Sequence, residues 1–291
     1  DLVGVSDEPA AVVGVQMDVS DYPDEATVYF ALESADDQPA ILPDMATVEL
    51  YQDEGRIEQF TLQSVNTLED PLTTVLLVDE SGSMGDDGQG RNPIASARAA
   101  ARTFITQLKP DDAVCVYGFS EHVRVLQNCA TDHAAALESI EQLDATYRAR
   151  TALYDSVTTV AHTQRALGGR RAIILLSDGG NTHSQKATLE EALTYARETN
   201  VPMYTIGLIS AEFDGAVAEE FANQTTALYQ KAPNDQQLQQ LYERIRKQLD
   251  NQYQITFRPV FPDRKQFMLT LLIHLGVEPE PTDAEQEPTD A

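Results

Sequence analysis

Thr73-Thr74-Val75-Leu76-Leu77-Val78-Asp79-Glu80-Ser81-Gly82-Ser83 is the stretch on which the fold turns. Thr73–Val78 is a continuous apolar run of strand length, and it reads as a strand buried on both faces. A carboxylate and two hydroxyls follow at alternating positions, Asp79, Ser81 and Ser83, ahead of a loop rich in Gly and Asp. At the end of a buried strand they can turn towards one point. Hard oxygen donors of this kind suit Mg²⁺, Mn²⁺ or Ca²⁺ rather than zinc or copper. The pattern Asp-x-Ser-x-Ser is weak by itself, so its surroundings must carry the reading.

Downstream, strands and helices alternate. Asn92-Pro93 reads as a helix cap and first turn. Ile94, Ala97, Ala101, Phe104, Ile105 and Leu108 then form one helical face, which Lys109-Pro110 ends. Ala113–Phe119 and Val123–Leu126 read as strands, 132–143 and 152–167 as helices, and Ala172–Leu176 as a second doubly buried strand that runs into Ser177-Asp178. Helix 188–198, strand 201–208, helix 213–222, strand 227–231 and helix 235–249 complete the series. Such alternation predicts a doubly wound, mostly parallel sheet of six strands, covered on both faces.

Upstream the pattern differs. Val13, Val15, Met17 and Val19 alternate, and Thr27–Leu32, Thr47–Tyr51 and Ile57–Val65 are further short β-runs, with Pro23, Pro39 and Pro43 between runs. Two more runs, Gln252–Pro259 and Gln266–His274, flank a turn at Phe261–Lys265 and read as a hairpin. An isolated hairpin is barely stable in water. The expectation is therefore an α/β domain inserted in a small antiparallel β-sandwich built from both termini; pairing of the hairpin with the edge of the α/β sheet is the alternative. The divisions are 1–70 for the first part of the sandwich, 71–250 for the α/β domain, 251–275 for the completing hairpin, and 276–291 for an acidic tail or linker. That tail carries Glu-Pro-Thr-Asp-Ala twice and no base, so it reads as extended.

The whole chain is acidic, with 47 Asp and Glu against 20 Lys and Arg and a formal charge of −27. This argues against nucleic acid and anionic membranes as partners. It fits cation binding, a basic partner or life at high salt. No run reaches the length of a membrane span, so no membrane insertion is expected of this chain. A start at Asp1 rather than Met reads as a processed or excised chain. If a tight hairpin joins the strands at Gly118–Glu121, Cys115 falls opposite about Leu126. A disulfide with Cys129 is then not expected.

Ligands of open α/β sheets bind beyond the carboxyl ends of the strands. Asp79 and Asp178 both directly follow buried parallel strands, and Thr151, at the first turn of helix 152–167, must reach the same rim. Asp79, Ser81, Ser83, Thr151 and Asp178 therefore converge. The three segments Asp79-Glu-Ser-Gly-Ser-Met, Thr151-Ala-Leu-Tyr-Asp and Leu-Leu-Ser-Asp178-Gly-Gly, in this order and spacing, closely resemble the von Willebrand factor type A domain over about residues 71–250. The resemblance implies a metal-ion-dependent adhesion site. In it the equivalents of Ser81 and Ser83 bind the ion directly, and those of Asp79, Thr151 and Asp178 do so directly or through water. One coordination position is left for the Asp or Glu carboxylate of a partner protein. Mg²⁺ is the leading ion, with Mn²⁺ or Ca²⁺ as alternatives.

The chain departs from the family where glycines commonly precede the threonine; here Ala149 and Arg150 do. Arg150 and Glu80 are possible ligand-contacting residues, and Arg150 could instead pair with a surface acid. Asp86 and Asp87 in the following loop read as solvated acids, and His183 as a bystander. No Ser-His-Asp set, Cys-His pair or P-loop is present, which argues against an enzyme. The expected function is a metal-dependent protein-binding module, extracellular or in the cell envelope. The alternative is a regulatory subunit of an ATPase or chelatase-type machine in the cytoplasm.

Overall fold

The computed structural model describes residues 4–5, 10–36, 38–86, 91–165, 167–178, 180–208, 215–264 and 266–274. The sequence-predicted tail 276–291, Asp87 and most of the first nine residues lie outside the described residues. The chain opens with β1 (Gly4–Val5), β2 (Ala10–Asp18), β3 (Ala26–Ser34), β4 (Pro39–Ala40), β5 (Thr47–Gln52), β6 (Gly55–Arg56) and β7 (Phe60–Ser64), then the short helix α1 (Val65–Leu68). The α/β part runs β8 (Leu72–Asp79), α2 (Pro93–Thr106), β9 (Ala113–Phe119), β10 (Val123–Ala130), α3 (His133–Ile140), α4 (Leu153–Arg165), β11 (Arg170–Ser177), α5 (Leu189–Glu198), β12 (Met203–Leu208), α6 (Gly215–Gln224), β13 (Tyr229–Ala232) and α7 (Asp235–Asp250). It closes with β14 (Tyr253–Phe257) and β15 (Leu269–His274).

The central sheet has the order β10-β9-β8-β11-β12-β13, parallel except for β10. Its apolar strands are apolar because helices cover both faces. Leu76 and Val78 of β8 pack with Phe104 of α2, Ile140 of α3 and Tyr242 of α7. Val75 and Leu77, their neighbours in sequence, point the other way, to Leu153 and Val157 of α4, Ala196 of α5 and Phe221 of α6. Helix starts follow local chemistry. Asn92, Asp132 and Asn234 each accept a backbone N–H of the first turn, and Thr188 with Glu191 forms a reciprocal capping box.

Strand β10 runs four residues past the expected end at Leu126, and this reverses the expectation for the cysteines. Val125 lies opposite Tyr117, but two register shifts place Gln127 opposite Val116 and Ala130 opposite Val114. Each shift adds a residue on β10, so Cys129 rather than Leu126 comes alongside Cys115. The two form a disulfide with a Cα–Cα separation of 4.1 Å.

The two ends of the chain build two flanking sheets, β1-β15-β5-β6 and β2-β3-β14-β7 with β4 on β3. Here the expected C-terminal hairpin is corrected. β14 inserts between β3 and β7, while β15 inserts between β1 and β5 in the other sheet. The physical reason is the alternation of both runs: Ile255 and Phe257 of β14 and Leu269, Leu271 and Ile273 of β15 share one apolar cluster with Phe30 and Leu50. Facing each other across two sheets, both rows are buried, which edge-to-edge pairing would not achieve.

The flanking sheets meet the α/β part at the amino ends of its strands. Arg170, the first residue of β11, donates to Gln252 Oε1 at 2.8 Å, to the Asp70 carbonyl at 2.9 Å and to the Leu249 carbonyl. The Arg171 backbone N–H donates to Gln16 Oε1. Asp112, also buried, accepts from the N–H groups of Leu72 and Lys109 and from Arg246 at 3.0 Å. These contacts leave the opposite, carboxyl edge of the sheet clear.

A candidate metal site at the carboxyl edge of the sheet

β8 delivers Asp79 to that edge fully buried. The chain then turns at once: the Ser81 N–H donates to Asp79 Oδ1 at 2.8 Å, and Gly82–Met84 form a single 3₁₀ turn. Met84 plugs into the core and pins the turn from below. The Gly82 N–H donates to the Ala149 carbonyl at 3.0 Å. A Cβ at Gly82 would meet the Arg148 backbone nitrogen at 3.0 Å, so a bare backbone is what lets the two loops approach.

Four of the five expected site residues are joined by hydrogen bonds. Ser81 Oγ lies 3.2 Å from Ser83 Oγ, and Ser83 Oγ donates to Asp178 Oδ1 at 2.9 Å. Asp79 Oδ2 accepts from Ser177 Oγ at 2.5 Å. Ser177 was not singled out from the sequence, although a hydroxyl one residue before Asp178, at the end of the neighbouring strand, is the available signal. Thr151 reaches the same edge from the loop before α4. Its carbonyl accepts from Thr182 N–H at 2.8 Å and His183 N–H at 3.0 Å, and its own N–H donates to Thr182 Oγ1. Thr151 and Ser83 line one cleft of about 460 Å³ together with Gly82, Tyr147, Arg148, Arg150 and Gly180.

A cation would relieve the electrostatics of the site. Burial pushes the Asp79 carboxyl up from 3.8 to about 7; bonds from Ser177 and Ser81 offset part of this, and the nearby charge of Asp178 adds to it. Among the described residues Asp79 has no cationic partner. Two buried carboxylates with hydroxyl neighbours form a hard-oxygen donor set that fits Mg²⁺, Mn²⁺ or Ca²⁺. No cluster of three or more His, Cys, Asp or Glu suited to a metal exists among the described residues. Any ion at this edge therefore relies on the hydroxyls of Ser81, Ser83 and Thr151, as the sequence pattern requires.

The two possible ligand-contacting residues are placed differently. Glu80 turns inward and is corrected to a structural role. It is almost fully buried, pairs with Arg124 through two contacts, and accepts from the Asp144 N–H at 2.9 Å. Its carboxylate lies against Gly118, where a Cβ would sit 2.0 Å from Oε2. Arg150 lines the cleft, but its guanidinium pairs with Glu121 at 3.2 Å and donates to His183 Nε2 at 3.1 Å. Gln185 donates to the same His183 nitrogen. Asp86 is exposed on the following loop.

Residues 74–181 match the family model of the von Willebrand factor type A domain. A von Willebrand factor type A protein from Catenulispora acidiphila aligns at 16% identity and a TM-score of 0.55, over 83% of this chain and 49% of that one. The chain thus spans about half the length of that protein. BatB from Bacteroides thetaiotaomicron aligns at 17% identity and a TM-score of 0.52, over 61% of this chain and 98% of its own. The PilB minor pilin from Streptococcus sanguinis aligns at 15% identity and a TM-score of 0.51, over 83% and 78%. No curated protein matches the chain significantly. The family match over residues 74–181 and the order of the central sheet lead to one conclusion: the α/β part of this chain has the von Willebrand factor type A fold.

Proposed function

We propose that the chain is a metal-dependent protein-binding module, which takes an acidic side chain of a partner through a divalent cation held by Asp79, Ser81, Ser83, Thr151 and Asp178. The observation that carries this reading is the meeting of two buried carboxylates with the Ser81 and Ser83 hydroxyls, beside an open cleft that Ser83 and Thr151 line. A bound ion would neutralise the buried charge and offer an electrophilic position to an external carboxylate. The protein's own residues prepare this. Ser177 and the Ser81 N–H orient Asp79, Ser83 bridges towards Asp178, and the Thr182 and His183 amides hold the Thr151 backbone.

Proposed residence outside the reducing cytoplasm is supported by the Cys115–Cys129 disulfide. The fold relative PilB, a minor pilin, is in keeping with this. Among the described residues no helix is long and apolar enough to cross a membrane. A pull-down from native extract tests the function. A binder recovered in Mg²⁺, and lost both in EDTA and with Asp79→Ala, supports it; a binder indifferent to both contradicts it.

A further inference from the structure

The turn Thr146–Ala149 stands beside the candidate site and is unusually well held. The Thr146 N–H donates to the Glu80 carbonyl at 2.8 Å, the Ala149 N–H closes the turn on the Thr146 carbonyl at 2.9 Å, and the Ala149 carbonyl accepts from Gly82. The buried Glu80 carboxylate ties down the incoming strand of chain through the Asp144 N–H. At its third position the turn places Arg148 with φ +62°, where such turns take glycine or asparagine. A side chain there costs about 1 kcal/mol. The fold gains nothing evident in return. Tyr147 is 82% exposed, and Arg148, also exposed, sits with its guanidinium 5.0 Å over the Tyr147 ring. Among the described residues Arg148 has no carboxylate partner, in a chain whose acids outnumber its bases 47 to 20. Both residues line the same cleft as Ser83 and Thr151.

We propose that the Tyr147–Arg148 tip is a specificity subsite that selects a protein segment carrying a second acidic side chain next to the carboxylate that enters the cleft. This rests on the proposed function above. A guanidinium fork recognises a carboxylate bidentately, and stacking on the ring directs it. The flat face of Tyr147 covers the intervening peptide, and Tyr and Arg are both enriched among the residues that carry protein interfaces. The net charge of −27 disfavours a nucleic acid as the anion.

Two fluorescein-labelled peptides, Gly-Ser-Asp-Asp-Glu-Ser-Gly and Gly-Ser-Asp-Ser-Ser-Ser-Gly, titrated in Mg²⁺ and in EDTA, test the proposal. The wild type is expected to prefer the multiply acidic peptide by about five- to tenfold, the reach of one or two exposed charge pairs. Arg148→Glu removes that preference, weakening the multiply acidic peptide far more than the singly acidic one. Arg148→Lys retains part of it. Arg148→Gly removes it while the melting temperature stays level or rises, because the backbone strain is relieved. A preference unchanged in Arg148→Glu, no preference in the wild type, no binding of either peptide, or equal competition by an oligonucleotide overturns the subsite. A preference that depends on Arg148 but persists in EDTA and in Asp79→Ala keeps the subsite and overturns the metal reading.

Discussion

Asp79→Asn is the most revealing single substitution. It keeps the shape and hydrogen-bonding reach of the side chain but removes the buried charge. In metal-free protein the Asp79 carboxyl is pushed from 3.8 to about 7, chiefly by burial. The folded state thus binds a proton that the unfolded state has released, so its contribution is fully present below about pH 4 and is lost as pH rises towards 7. A displacement of that size corresponds to at most about 4 kcal/mol. The assay is urea denaturation between pH 4.5 and 8 in EDTA, with wild type and variant compared at each pH. The difference cancels the other carboxylates. The variant gains on the wild type as pH rises, by about 2–4 kcal/mol at pH 8. Saturating Mg²⁺ then offsets most of that lead, since an ion at 100 times its dissociation constant adds about 2.7 kcal/mol to the wild type. A wild type that gains on the variant with rising pH in EDTA would refute the reasoning.

Reducing Cys115–Cys129, or replacing both by Ser, should lower stability by about 3 kcal/mol for a loop of this length, seen as a drop in denaturation midpoint on adding dithiothreitol; an unchanged midpoint would mean that the bridge contributes nothing. Gly118→Ala drives a Cβ into a Glu80 carboxylate held by Arg124 and Asp144, and should cost about 1–3 kcal/mol by thermal melting, with weakened metal binding because Glu80 supports the 144–150 loop. Burial raises the Asp155 carboxyl, but the N–H groups of Gln185, Ala187 and Lys186 together outweigh it and hold it below its usual range. Its contribution is therefore present above the unfolded value and lost as pH falls through the folded one; Asp155→Asn should flatten that acid limb of the stability curve and leave neutral pH less stable.

Much of the α/β fold was legible because its signals are local and repeated. Doubly apolar runs such as Thr73–Val78 and Ala172–Leu176 and caps such as Asn92-Pro93 each state one element. The carboxyl-edge rule then placed Asp79, Thr151 and Asp178 without knowledge of any contact. What failed depended on register and on long-range partners. The Gln127-Asn128-Cys129-Ala130 end of β10 lacks alternation, and two register shifts there decided the disulfide. The last two β-runs resemble a hairpin in sequence, yet their burial was decided by strands some 200 residues away. Glu80 illustrates the same limit. Next to Asp79 it looked available to a ligand, but just past the end of β8 its side chain turns inward to Arg124, a partner 44 residues away.

The central claim is that the five converging residues hold a divalent cation. Mn²⁺ binding followed by electron paramagnetic resonance, with Mg²⁺ as competitor, tests it most directly. The account predicts one Mn²⁺ site per chain, displaced by Mg²⁺ and lost in the Ser81→Ala/Ser83→Ala double variant, which leaves both carboxylates in place. A site that survives the loss of both hydroxyls, or no saturable site in the wild type, would contradict it.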